Sequence, residues 1–246
     1  MSIAAELALL GVGVLAGIVS TVASLASVVS YPALLALGLG PVSANVTNTV
    51  ALMFTGVGAA AGSRPELAGQ GGRVVRLGLL TAAGGGTGAA LLLLTPARGF
   101  EFIAPVLIAL GSLIILCRPV PARRADPVPG WLSQAGVFAV AIYIGYFGAA
   151  GGVLMLAVLI RLFRQSLART NALKNAISGL ANAVAGVGFA IFGPVQWAAA
   201  VPLAAGFLVG GWIGPALVRR LPAAGLRVFV GICGLAVAIR LGISAY

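Results

Sequence analysis

The sequence contains no histidine, two cysteines and four acids among 246 residues. Each shortage removes a class of chemistry. Without histidine, neither a Ser/His/Asp nor a Cys/His nucleophile can be assembled, and the common zinc ligand sets are lost. Cys117 and Cys233 stand in unrelated, apolar-flanked places, which reads as packing and not as a disulfide or metal framework. The acids Glu6, Glu66, Glu101 and Asp126 fall in loops or near the ends of apolar segments. The carboxylate relay that proton-coupled carriers keep at mid-membrane is therefore missing. No phosphate-binding loop motif occurs. The expectation is a protein that is no enzyme, holds no metal and needs no cofactor.

Charge of either sign is scarce. Only 8% of residues are charged, 61% are hydrophobic, and the mean hydropathy is +1.13. Soluble domains carry about 25% charge. Stretches such as 74–94 and 102–116 are nearly free of charge and long enough to cross most or all of a hydrocarbon core roughly 30 Å thick. Strict polar/apolar alternation, the mark of a membrane β-barrel, is absent. The chain is expected to be an all-α polytopic membrane protein with the lipid bilayer as its surroundings. The net charge of +11 sits in short loops between apolar spans. It reads as a topology signal and not as a nucleic-acid surface. The first residues, Met1 to Glu6, lack a basic region, so the first apolar segment is expected to stay in the mature fold.

What the sequence does have is a repeat. Thr47-Asn48 followed by Gly56 returns as Thr170-Asn171 followed by Gly179, 123 positions later. Gly88, Ala90, Leu91, Pro96, Ala97 and Gly99 return as Gly214, Ala216, Leu217, Pro222, Ala223 and Gly225, 126 positions later. The chain divides into a first transmembrane repeat (1–117), a cytoplasmic linker rich in proline and charge (118–130) and a second repeat (131–246). Each repeat has four elements, at about 5–39, 44–62, 73–95 and 100–117, then at about 131–163, 168–192, 195–218 and 224–244.

The first element of each half is too long for one straight crossing of about 20 residues. Each carries a helix-weakening patch near its middle, Ser20–Ser27 in one half and Gly145–Gly152 in the other. Both are read as two limbs joined by a non-helical tip inside the membrane. Loop charge supports this. Arginines occupy the loops at 63–76, 118–130, 161–169 and 219–227, while those at 40–44 and 193–196 have none. Placing the four basic loops in the cytoplasm gives the halves opposite orientation. Element 131–163 then starts and finishes on one side, as a re-entrant hairpin does. The fold class is an inverted repeat of two four-element halves, each opening with a broken hairpin, with both chain ends outside. Gly206, Gly210 and Gly214, with Gly84 and Gly88 in the partner element, form small-residue tracks for close helix packing.

The polar residues left at membrane depth are mostly uncharged. At the tips they are Ser20, Thr21 and Ser24, joined by Gly148, Gly151 and Gly152. In the repeated motif they are Asn45, Thr47 and Asn48, then Thr170, Asn171, Lys174 and Asn175. Broken helices point free N–H groups, and partial positive charge, at whatever lies between them. Two tips meeting from opposite faces would form a neutral-lined site for a small anion between the repeats. Lys174 either attracts that anion or snorkels to the cytoplasmic interface.

Two stretches carry a resemblance. Tyr31-Pro-Ala-Leu-Leu-Ala-Leu-Gly38 followed by Pro41-Val-Ser-Ala-Asn-Val-Thr-Asn-Thr-Val-Ala51 resembles the first-repeat signature of the TauE/SafE family of sulfite-exporter-like permeases. Gly148-Ala-Ala-Gly-Gly-Val-Leu154 and Ala168-Arg-Thr-Asn-Ala-Leu-Lys-Asn175 resemble its second-repeat counterpart. The resemblance implies a carrier of the bacterial inner membrane for sulfite, sulfoacetate or other small organosulfur or carboxylate anions. In one respect the chain departs from it, since Ser20–Ser27 lacks the glycines usual in the first repeat. The leading expectation is export of such an anion; uptake of a small organic or sulfur anion or of an unrelated small solute, and a non-transport scaffold role, are the alternatives.

Overall fold

In a computed structural model, residues 2–100 and 130–218 are described, with residues 102, 103, 106, 107, 109 and 239. The fourth element of each repeat and the linker, expected at 100–117, 224–244 and 118–130, lie almost wholly outside the described residues. What is described is helical, with no strand. The helices are α1 (Ile3–Ala23), α2 (Ala26–Ala36), α3 (Pro41–Gly62), α4 (Arg64–Leu67), α5 (Gly71–Leu94), α6 (Gly130–Tyr146), α7 (Gly151–Leu162), α8 (Leu167–Phe192) and α9 (Trp197–Val218). Of these, α1, α5, α8 and α9 are long and apolar enough to cross a membrane. Helix α3 is equally long but carries Asn45, Thr47, Asn48, Thr49 and Thr55, all buried.

Local chemistry sets the boundaries. Ser2 and Ser166 cap α1 and α8, their side chains accepting from the N–H groups of Ala5 and Arg169. Pro41 opens α3, where its missing N–H costs nothing. The four-residue helix α4, opened by Pro65, was not foreseen in the sequence.

The long first elements do break where the sequence weakens. α1 stops at Ala23, Ser24 takes a left-handed conformation (φ 64°), and α2 starts at Ala26. α6 stops at Tyr146, Gly148 (φ 75°) and Ala150 (φ 58°) turn the chain, and α7 starts at Gly151. A left-handed residue with a Cβ costs about 1–2 kcal/mol, so Ser24 and Ala150 are held there by their surroundings.

Glycine contacts fix the direction of each helix. Gly13 of α1 lies against Leu203 and Gly206 of α9, and Gly17 against Gly210. These two helices therefore run side by side in the same direction. Gly58 and Gly62 of α3 meet Leu208 and Trp212 of α9, again running the same way. In the other set, Gly84 and Gly88 of α5 meet Phe138 and Ile142 of α6, while Thr81 and Gly85 meet Ile177 and Ala181 of α8. The two sets join where α3 and α8 cross antiparallel, with Gly56 on Gly179 and Gly193 on Val46. Thus α1, α3 and α9 run one way, and α5, α6 and α8 the other.

The packing order repeats as well. α1 packs on α9 and α9 on α3; α6 packs on α5 and α5 on α8. First elements therefore pack on the third elements of the opposite half. Ser27 and Ser30 of α2 lie against Asn48 of α3, so α2 turns back toward the end where α1 and α3 begin. Arg73, near the start of α5, bonds Gln165 and covers the Phe163 ring, so α7 returns to the end where α5 and α6 begin. Arg64, Arg73, Arg76, Arg161, Arg164 and Arg169 all belong to that second end.

Candidate functional site

The two broken hairpins come from opposite ends and their tips touch. A Cβ added to Gly152 would lie 2.7 Å from the Ser24 Cβ. Beneath this contact is a cavity with about 50 Å³ open to the centre of a water-sized sphere. One water needs about 10–15 Å³, so the space suits a few waters or one small oxyanion. Ser20, Ser24 and Ser27 line it from the first tip, and Gly148 and Gly152 from the second.

The remaining lining comes in matched pairs 123 positions apart. Leu52, Thr55, Gly56 and Ala59 of α3 face Asn175, Ser178, Gly179 and Asn182 of α8. The spacing keeps one face of each helix toward the cavity. The two faces are not alike. α3 presents mainly carbon, whereas α8 presents two amides, a hydroxyl and Lys174.

Lys174 is 2% exposed and its Nζ donates to the Ser24 Oγ. It sits in the wall of the cavity, seven residues past the start of α8. None of the described lining residues is acidic. A cation at such depth is expensive, and a cavity with one ammonium and no carboxylate favours an anion. Four buried polar atoms in the same wall have no hydrogen-bond partner among the described residues: Thr55 Oγ1, Asn175 Nδ2, Ser178 Oγ and Asn182 Oδ1. Each such group costs about 1–3 kcal/mol if left unmet. Water or a bound guest would satisfy them.

Of the thirteen residues expected at the site, the cavity brings together Ser20, Ser24, Gly148, Gly152, Lys174 and Asn175. The other seven lie behind it and hold its parts in place. Asn171 Nδ2 donates to the Thr21 carbonyl at 2.9 Å, tying α8 to the end of α1. Asn45 Nδ2 donates to the Tyr146 carbonyl at 3.0 Å, tying α3 to the end of α6. Each motif helix thus binds the tip of the other half. Asn48 donates to Ser27 Oγ at 3.2 Å and accepts from Ser30 Oγ at 2.5 Å. Thr47 Oγ1 accepts from the Gln196 N–H at 3.0 Å. Thr21 and Thr170 bond carbonyls of their own helices or caps. Gly151 is packed under Ile144.

A family model described as sulfite exporter TauE/SafE matches residues 9–241, nearly the whole chain. The chain belongs to the TauE/SafE family. Comparison with curated proteins and with solved structures gave no significant match. Membership makes it a membrane transport protein, in keeping with its apolar helices. In the sequence of this TauE/SafE chain, Thr55, Ser178 and Asn182 do not stand out as site residues, and Gly56 and Gly179 mark a repeat and not part of the site. A helical signal was present, because Lys174, Ser178 and Asn182 recur every four residues on one face.

Proposed function

We propose that the protein is a secondary carrier that exports sulfite or a related small organosulfur anion across the bacterial inner membrane. The reading includes an inverted repeat, with residues 1–117 and 131–246 as the halves and 118–130 as a cytoplasmic linker. The opposed directions of α1 and α6, of α3 and α8, and of α5 and α9 support inversion. So does the contact of Gly56 with Gly179, since a residue that touches its own repeat counterpart lies on the axis relating the two copies.

The observation that carries the function is the cavity on that axis, with a single ammonium, neutral hydroxyls and amides, and no carboxylate. Lys174, Ser20, Ser24, Ser27 and Asn175 are the binding groups, and Gly148 and Gly152 let backbone approach the anion. The pair Asn45 and Asn171 couples each half to the other's tip, so rocking of the halves would carry both tips together. The arginines at the cytoplasmic end concentrate anions at the mouth.

A membrane potential of 100 mV, negative inside, favours the loss of one negative charge by about 2.3 kcal/mol. That supports an outward gradient of roughly fiftyfold with no coupling ion. Sulfite flux from proteoliposomes, measured at several imposed potentials without a pH gradient, tests this. Efflux should rise as the compartment facing the arginine-rich end becomes more negative. Flux that ignores potential and follows a proton gradient overturns uncoupled export.

A further inference from the structure

A second hollow lies at the arginine-bearing end and shares no residue with the anion cavity. It opens between the first turns of α5 and α6 and the end of α7, with about 530 Å³ of space, and Arg73, Arg76, Ser133 and Gln134 supply its polar groups. A smaller hollow of about 310 Å³ adjoins it, sharing Arg76, Leu77 and Gln134 and continuing past Leu79, Leu80 and Ala83. From Arg76 to Ala83 is seven residues, about 10 Å along a helix axis. The pair of hollows is therefore polar and cationic at the membrane surface and apolar deeper in.

The two guanidinium groups differ. Arg73 Nη1 donates to Gln165 Oε1 at 2.9 Å, and its guanidinium carbon stands 4.6 Å from the centre of the Phe163 ring. It is fixed in place with donors to spare. Arg76 is exposed and makes no hydrogen bond or ion pair among the described residues. Both helices that line the mouth begin there, so their unpaired N–H groups add positive potential where an anion would sit. Leu79 is 69% exposed on a membrane-spanning helix, with the hydrocarbon as its surroundings.

We propose that these joined hollows hold one anionic phospholipid of the cytoplasmic leaflet. Its phosphate sits between Arg73 and Arg76, and an acyl chain lies along Leu79, Leu80 and Ala83. A soluble phosphate would satisfy the arginines but leave the apolar extension unused. Basic hollows between membrane helices on the cytoplasmic side are suited to anionic headgroups.

The test uses the full chain in a neutral detergent, with melting followed as lipid is added. Phosphatidylglycerol should raise Tm by several degrees at saturation, because it binds the folded state alone. Phosphatidylcholine and glycerol phosphate should not. The double variant Arg73→Gln/Arg76→Gln should lose the shift. Arg161→Gln/Arg164→Gln, with the same charge removed at the same end, should keep it. Arg76→Gln alone serves if the double variant does not fold, since Arg76 has no bond to lose. Ala83→Trp should weaken the shift with both arginines intact. Equal loss in the two double variants means diffuse charge and overturns the site. An equal shift with glycerol phosphate means a soluble-anion site and overturns the lipid assignment. Loss of sulfite flux in Arg76→Gln with the lipid shift intact makes the hollow a substrate vestibule, which also overturns it.

Discussion

Substitution of Gly56 by alanine probes the centre of the molecule directly. The added Cβ would lie 2.6 Å from the Gly179 Cα, where ordinary contact begins at 3.4 Å. The neighbouring atom is backbone and cannot rotate away, so α3 and α8 must part locally by about 0.8 Å to reach contact. Overpacking of this kind costs about 1–3 kcal/mol. For a chain of this size that is a loss of several degrees in Tm. The two helices being antiparallel, the same movement spreads Leu52 from Asn182 and Ala59 from Asn175, the walls of the cavity. Displacements of about 1 Å at a positioned site cost up to 100-fold in rate, so flux should fall more than stability does. Gly179→Ala should behave alike, its Cβ lying 2.8 Å from the Gly56 Cα. The double variant discriminates further. Once one methyl has parted the helices, the second meets a gap already opened, so the combined cost should be clearly below the sum of the singles. Melting in detergent and flux in proteoliposomes would be measured on all three. Unchanged melting in Gly56→Ala, or strict additivity in the double variant, refutes the mutual contact.

Further outcomes follow from the tips and the wall. Lys174→Met should abolish sulfite binding in calorimetry yet leave melting within a few degrees, because a buried charge is removed together with its desolvation penalty. Ser24→Gly relieves the left-handed strain but removes the hydroxyl that accepts from Lys174 Nζ, so Tm should stay within a few degrees while sulfite binding weakens. Ser24→Val should lower it by about 1 kcal/mol or more, as a β-branched residue at φ 64° is strained. Asn171→Leu removes the bond to the Thr21 carbonyl and should cost about 0.6–1.7 kcal/mol in the membrane, with flux reduced and Lys174-dependent binding retained.

The positions of the breaks were legible because they are compositional. Serines at 20–27 and glycines at 145–152 interrupt runs that otherwise favour helix, and the chain breaks within each patch. The helix limits at Gly62, Leu94 and Phe192 were likewise read to within a residue or so. The division of labour among the polar residues was not legible. Asn48 and Asn171 head the repeated motif, yet their amides bond neighbouring backbone and serines. Asn175 and Asn182, about one and three turns farther along α8, stand in the cavity wall instead. Which of several asparagines on one helix faces a cavity depends on the rotation of that helix against its neighbours. Rotation is set here by close glycine contacts between α3 and α8, Gly56 on Gly179 and Gly186 on Val50, which no local pattern reveals. Thr55 was passed over for the same reason, as its importance comes from lining the same cavity as Ser178.

The contact of Gly56 with Gly179 has a consequence for ancestry. Two separate, identical chains meeting there would carry each wall residue twice. A lysine would then be present as two facing ammonium groups or not at all, and each amide would face its twin. In the single chain, Ala51 occupies the position matching Lys174, Leu52 that matching Asn175, and Ala59 that matching Asn182. On the proposed inverted repeat, fusion of two copies would release these positions from obligatory identity and allow an odd number of charges beside the axis, which no symmetric dimer can have.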